Sequence, residues 1–156
     1  GAVKKYARQF IAKKISLCYE PVETSVVTDK KWLSFVIEQV ISNAVKYTKT
    51  GSIKIYLEDG DGTMSVPLPE IAHAKKTEMG NGSTSSVCLV IEDAGIGIRA
   101  EDLPRICEMG YTGCNGHEGQ HSSGIGLYLC SRILKKLGHT FAITSKEGVG
   151  TVVKIG

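Results

Sequence analysis

At 156 residues the chain has one domain's length on the usual prior of roughly 100–200 residues, enough to bury most of its unfolded surface without disulfides or a structural metal. With 42% hydrophobic and 22% charged residues it is neither disordered nor fibrous in composition. Nineteen Lys+Arg against sixteen Asp+Glu leave a net charge of +3, too small an excess to argue for nucleic acid. No apolar run approaches the roughly 18 residues that would span a bilayer, and the N-terminus lacks the apolar stretch and cleavage site of a signal peptide. The five cysteines contain no C-x-x-C pair, which reads as reduced thiols and a cytoplasmic setting. The eighteen glycines are the odd statistic, because most fall between positions 51–62 and 80–126.

In chain order, residues 3–15 fit a helix with Val3, Tyr6, Phe10 and Ile11 on one stripe and lysines on the other. Short β-rich stretches follow at 16–19 and 25–28, separated by a turn near Pro21. Asp29 is a good N-cap for a helix running through Leu33, Val36, Val40 and Ala44 to about Tyr47. Residues 52–57 alternate, with Ile53, Ile55 and Leu57 inward, as a half-buried strand does. Residues 58–86 are polar and rich in Gly, Ser and Pro, and read as a long loop. Residues 87–91 are continuously apolar and predict a central strand. A short helix is expected at 101–106, then a second glycine-rich loop at 110–126. Leu127, Cys130, Leu134 and Leu137 mark an amphipathic helix stopped by Gly138, and residues 140–145 and 151–155 form a terminal hairpin around Gly148 and Gly150. This order predicts an α/β (α+β) two-layer sandwich, a mixed sheet with helices on one face.

Three segments carry candidate chemistry. On the helix after Asp29, Gln39, Asn43 and Lys46 fall within about a 60° sector. An amide oxygen there suits Mg²⁺, which binds alongside substrate phosphates, and a lysine one turn away supplies charge for a polyphosphate. A plain solvated helix face fits the same pattern. The second segment, from Ile91 to Ile98, is a strand ending in Asp93 with Gly95 and Gly97 beyond it. The carboxylate can only accept hydrogen bonds, which suits an adenine amino group, while the glycines would allow positive φ and let a ligand lie on bare backbone. A simple glycine turn is the alternative, and a dinucleotide fingerprint is disfavoured because no long helix follows at once. The third, Ser122 to Leu127, is a glycine loop entering a helix, where backbone N–H groups form an anion site. No lysine follows, so it is not a Walker P-loop.

Together, in this order and at these separations, the segments resemble the N, G1 and G2 boxes of the Bergerat-fold ATPases. That superfamily includes sensor histidine kinases, gyrase-type topoisomerases, heat-shock chaperones and mismatch-repair ATPases. Residues 43–48 and 124–127 most resemble the catalytic domain of a sensor histidine kinase, and residues 110–116 resemble the small intramembrane-sensing kinases of cell-envelope stress. The resemblance implies Asn43 on Mg²⁺, Lys46 on phosphate, and Asp93 on the adenine amine with Gly95 and Gly97 shaping its pocket. It further implies backbone contacts to phosphate from Gly124, Ile125, Gly126 and Leu127, and a lid carrying Tyr111 and Thr112. Tyr47, Ile98 and Ser123 complete the implied nucleotide-binding set, with ATP and Mg²⁺ as cofactors. The candidate catalytic set is Gln39, Glu38 and Asn43. Gln39 stands where the family commonly has Asn or Glu, and Glu38 points about 100° away from it, which disfavours a hydrolysing enzyme. A kinase needs no such base, because an acceptor imidazole is itself nucleophilic.

Other patterns carry less. His117, Glu118 and His121 match H-E-x-x-H, but the glycines around and within it argue against the helix a zinc protease needs. Cys107 and Cys114 do not add a standard zinc spacing. His139, just after Gly138, is expected to interact with the preceding helix end, and His73 lies in the polar loop. None of the four histidines suits a phosphoacceptor. The resemblance implies a histidine-bearing dimerisation domain upstream, with residues 1–15 as the connecting helix, and phosphotransfer to a response regulator. The chain is thus expected to be the cytoplasmic catalytic domain of a membrane-anchored receptor, without nucleic-acid or membrane contact of its own. The alternatives are a stand-alone serine kinase of the anti-sigma-factor type and a non-catalytic nucleotide sensor.

Overall fold

The computed structural model describes residues 2–19, 25–60, 86–113 and 123–156. Helices α1 (Ala2–Lys5) and α2 (Ala7–Ala12) lead into strand β1 (Ile15–Tyr19), helix α3 (Lys30–Tyr47), and strands β2 (Gly51–Gly60) and β3 (Ser86–Asp93). A 3-10 turn at Leu103–Arg105, helix α4 (Gly126–Leu137) and the hairpin β4 (Phe141–Lys146) and β5 (Gly150–Ile155) complete it. The strands form one mixed sheet in the order β1-β2-β3-β5-β4, in which only β1 and β2 run parallel.

The sheet's register explains its inner face. Ile55, Ile91, Val153 and Ile143 face one another across four strands, and each is nearly fully buried. Helix α3 lays Val36, Val40 and Ala44, spaced four apart, and Ile41 with Val45 onto that row, while α4 adds Cys130 and Leu134. The result is two layers, with the central strand expected at 87–91 lying in the middle of the sheet. On the other face, cross-strand partners Lys54 and Glu92 pair at 3.3 Å.

Both helix ends are set locally. Asp29 accepts from the Lys31 and Trp32 N–H groups at 2.9 and 3.1 Å, the N-cap expected from sequence. Gly138 closes α4 in the left-handed conformation, φ 77°, and the His139 N–H reaches Leu134 O at 2.9 Å. The His139 ring does not serve that helix end. It sits within hydrogen-bonding distance of Thr28 Oγ1 and Gly156 O, tying the start of α3 to the C-terminus.

Four sequence expectations are corrected. The helix over 3–15 is broken at Tyr6, whose hydroxyl reaches Glu38 O, and Ile11 is 78% exposed rather than inward. Residues 25–28 pair with no strand among the described residues, and Val26 and Val27 are exposed. Both ends of the polar stretch 58–86 are strand, since Glu58 to Gly60 pair with Cys88 to Ser86; residues 61–85, with His73, lie outside the described residues. The helix at 101–106 is a single 3-10 turn entered through a proline.

The lysine stripe is not simply solvated either. Lys13 Nζ donates to the carbonyls of Val45, Lys46 and Thr48 at 2.6, 3.1 and 3.3 Å, so the segment before β1 caps the C-terminus of α3. Lys13→Met keeps the stem and removes the charge. It should lower stability by about 1 kcal/mol, read by calorimetry as a drop of roughly 2–4 °C in thermal midpoint; an unchanged midpoint would show the cap to be idle.

Candidate functional site

A cleft of about 310 Å³ opens between α3, the ends of β3 and β5, the segment up to Gly113, and the start of α4. Gln39, Asn43, Lys46 and Tyr47 line one wall, because positions i, i+4, i+7 and i+8 share a helix face. The Lys46 ammonium stands 5.2 Å from the centre of the Tyr47 ring, and no carboxylate pairs with it among the described residues. Val40 and Ala44, core residues by sequence, also reach this wall.

Asp93 lines the cleft from the core face of β3, which it shares with Ile91. Its Oδ1 accepts from the Gly95 N–H at 2.9 Å, and the backbone N–H of Thr151, its cross-strand neighbour, also serves the carboxyl. Burial pushes this carboxyl above its ordinary range, and the two backbone donors act against that rise. Ile98 lines the cleft while its N–H donates to Ser145 Oγ at 2.8 Å.

Of the two glycines beyond Asp93, Gly97 takes the expected positive φ and lines the cleft, and both are tightly packed against backbone. A Cβ on Gly95 would stand 2.8 Å from Tyr47 O, and one on Gly97, at φ 69°, would fall 2.1 Å from Lys146 O. Gly95 does not take positive φ. Both are small because chain packs on chain, and Gly97 also lines the cleft.

Another wall of the cleft is built from the start of α4. Ser123, Gly124, Gly126 and Leu127 line it. Ile125, the N-cap, offers no side-chain oxygen and is itself outside the lining, and no acid stands in the first turn. No side chain among the described residues is seen to cap the leading N–H groups of α4, the arrangement that attracts an anion. Gln39 reaches toward this wall, with Oε1 3.0 Å from where a Gly126 Cβ would sit. Tyr111 and Thr112 close the cleft from the side.

Glu38 is the clear correction. It pairs with Lys5 at 2.6 Å on the far side of α3 and lines no part of this cleft. It cannot act there as a base. Cys107 and Cys130 are pushed up by burial to about 11 and about 12, which makes both thiols unreactive. The residues of the H-E-x-x-H pattern, with Cys114, lie outside the described residues.

The sequence profile of the family described as "Histidine kinase-, DNA gyrase B-, and HSP90-like ATPase" matches residues 28–156. The chain belongs to this family. It is similar to the sensor histidine kinase YxdK of Bacillus subtilis, 35% identical over 161 residues, covering 99% of this chain and 41% of that protein. The sensor protein BceS of Halalkalibacterium halodurans is 34% identical over 141 residues, 90% of this chain and 35% of its own length. The chain thus spans less than half the length of these curated relatives. Among solved structures, the catalytic domain of histidine kinase ThkA shares the fold, with a TM-score of 0.71 at 18% identity over 99% of this chain and 86% of that one.

For an ATPase-family cleft, the donor set defines what metal could enter. No cluster of three or more His, Cys, Asp or Glu side chains suited to a metal occurs among the described residues. The neutral oxygens of Asn43 and Gln39 fit a magnesium ion whose other ligands are phosphate oxygens and water, and they do not fit a resident ion held by protein alone. Sequence reading missed Thr151 and Asp102, both in the cleft lining. Thr151 arrives through the β3–β5 register and Asp102 through the 3-10 turn, so neither had a local signal.

Proposed function

We propose that this chain is the ATP-binding catalytic domain of a sensor histidine kinase and delivers the γ-phosphoryl group to a histidine on a separate dimerisation domain of its parent protein. One observation carries the reading. A single cleft is lined by a half-buried carboxylate acceptor, by an amide and an ammonium on one face of α3, and by the start of α4, whose N-cap residue offers no side-chain cap. That arrangement fits adenine at Asp93 and polyphosphate near Asn43, Lys46 and α4.

Bound magnesium would offset phosphate charge, with Asn43 as its protein ligand and Gln39 beside it. Lys46 and the α4 N–H groups hold the phosphates, and the reaction is then mainly a matter of positioning and electrostatics. The acceptor imidazole nitrogen bonds to the γ-phosphorus as the bond to the β–γ bridging oxygen breaks, and ADP leaves with that electron pair. The acids lining the cleft, Asp93 and Asp102 among the described residues, are both engaged by hydrogen-bond donors. With Glu38 turned away, no free carboxylate lines the cleft among the described residues, which favours transfer to a nucleophilic imidazole over attack by water. A response regulator would then take the phosphoryl group from the histidine. Within the parent, residues before β1 would connect to the dimerisation domain, and the whole would be the cytoplasmic part of a membrane-anchored receptor; no helix among the described residues is long and apolar enough to cross a membrane.

Incubating the chain with labelled Mg-ATP and either a histidine-bearing dimerisation domain or a serine-bearing protein tests this directly. Acid-labile label on the histidine domain is the expected result; stable label on the serine protein would overturn it in favour of a serine kinase. Asn43→Ala should weaken ATP binding by roughly tenfold in magnesium and change it little in EDTA, measured by titration calorimetry. An equal loss in both would remove Asn43 from the metal's surroundings.

A further inference from the structure

Asp102 is the acid in the cleft to which the nucleotide reading gives no task. It is only 6% exposed and stands immediately before the Leu103–Arg105 turn. A carboxylate withdrawn from water to that extent needs strong partners. Its partner is the Tyr111 hydroxyl, which donates to Oδ1 at 2.5 Å. The Arg105 guanidinium lies over the Tyr111 ring, 4.3 Å from its centre. One short turn therefore holds both the hydroxyl and a face of the same ring.

Tyr111 is in turn joined to the α4 wall of the cleft. The Gly110 N–H donates to Gly124 O at 3.1 Å. Gly124 has φ 65°, and a Cβ on it would stand 2.6 Å from Tyr111 O and 2.5 Å from the Gly110 carbonyl carbon. The two backbones touch, so a shift of Tyr111 moves the residue that precedes the N-terminal turn of α4. Asp102, Tyr111 and Gly124 all line the cleft, and the chain of contacts runs along its rim.

We propose that Asp102 is a positioning residue for the nucleotide: through the Tyr111 hydroxyl it holds residues 110–113 and Gly124 against the cleft and so sets how long an adenine nucleotide stays bound. The proposal rests on the nucleotide-binding reading above. It assigns the Asp102–Tyr111 bond to the bound state's lifetime as well as to stability, because both partners lie at the cleft wall.

Stopped-flow measurement with a fluorescent N-methylanthraniloyl derivative of ADP and magnesium tests it. Tyr111→Phe removes one oxygen and should speed dissociation about tenfold, the range for a hydrogen bond to a charged group. Association should stay within about twofold, while the nucleotide-free thermal midpoint should fall by roughly 2–6 °C because the buried carboxylate loses its donor. Asp102→Asn retains an acceptor oxygen and should speed dissociation only about threefold. In the Tyr111→Phe background Asp102→Asn should add nothing, because the two act through one bond. Unchanged dissociation in Tyr111→Phe overturns the proposal, and so does an Asp102→Asn effect that persists undiminished without the hydroxyl. Failure of the wild-type chain to bind the probe overturns the nucleotide reading itself, and this proposal with it.

Discussion

Asp93→Ala is expected to lower affinity for ATP by roughly 10- to 100-fold, the loss that follows removal of a charged hydrogen-bond acceptor from a half-buried site. The chain should still fold, because the neighbours of Asp93 are held by β3–β5 pairing through Val152 and Val153. Unchanged affinity, measured by titration calorimetry, would sink the assignment of the adenine end. The same residue sets a pH dependence whose sign can be worked out. Its folded-state pKa is raised, chiefly by burial. A group of this kind contributes its full stability below its unfolded pKa, and that contribution is lost as pH rises through the folded value. At neutral pH the ionised carboxylate therefore opposes folding. Asp93→Asn, which keeps an acceptor for the Gly95 N–H, should have a higher nucleotide-free midpoint than wild type at pH 7. The gain should shrink as pH is lowered through the folded value. Affinity of the wild-type chain for ATP should fall over the same interval as the acceptor is neutralised. A flat difference between wild type and Asp93→Asn across that range would show that burial of the charge is not what the fold bears.

The parts of this molecule that were legible in its sequence are those fixed by neighbours a few residues away. Helix α3 was readable because Asp29 caps it and Val36, Val40 and Ala44 repeat at helical spacing. The same periodicity placed Gln39, Asn43 and Lys46 on one face, and the structure brings them to one cleft. What failed depended on distant partners. Val26 and Val27 have strand-forming side chains but no strand to pair with among the described residues, and β-propensity expresses itself only against neighbours. The polar ends of β2 and β3 became strand through Glu58↔Cys88 and Gly60↔Ser86, and through the Glu58–Lys154 ion pair, none of which is local. Thr151 entered the site by register and Asp102 by burial of a turn. Glu38 and Gln39, adjacent in sequence, were separated by the helix itself: one faces Lys5, the other the cleft.

The positive φ of Gly97 was legible in the motif but its contact with the β4–β5 turn was not, and Gly97→Ala exposes the difference. At φ 69° an alanine is strained, and its Cβ would lie 2.1 Å from Lys146 O and 2.7 Å from the Lys146 carbonyl carbon. Backbone must move, and the backbone in question is the β4–β5 turn. That turn is clamped to the same loop by the Gly148 N–H to Ile96 O bond at 2.8 Å, and by Ser145 Oγ, which accepts from Ile98 and donates to Gly150 O. Strain plus the displaced contacts should destabilise the nucleotide-free chain by at least about 2 kcal/mol, a fall of roughly 4–8 °C or more in thermal midpoint. Gly138→Ala supplies the control. Its φ is 77°, yet nothing lies within 4 Å of the added Cβ, so it carries the backbone strain alone, about 1–2 kcal/mol. If the two variants fall equally, the collision with Lys146 is not real. If Gly97→Ala leaves the nucleotide-free midpoint intact and weakens only ATP binding, the glycine is there for the ligand after all. A larger fall for Gly97→Ala than for Gly138→Ala, before any nucleotide is added, means that the loop's first task is to seat on the β4–β5 turn, and that this seating is what holds Asp93 in the cleft.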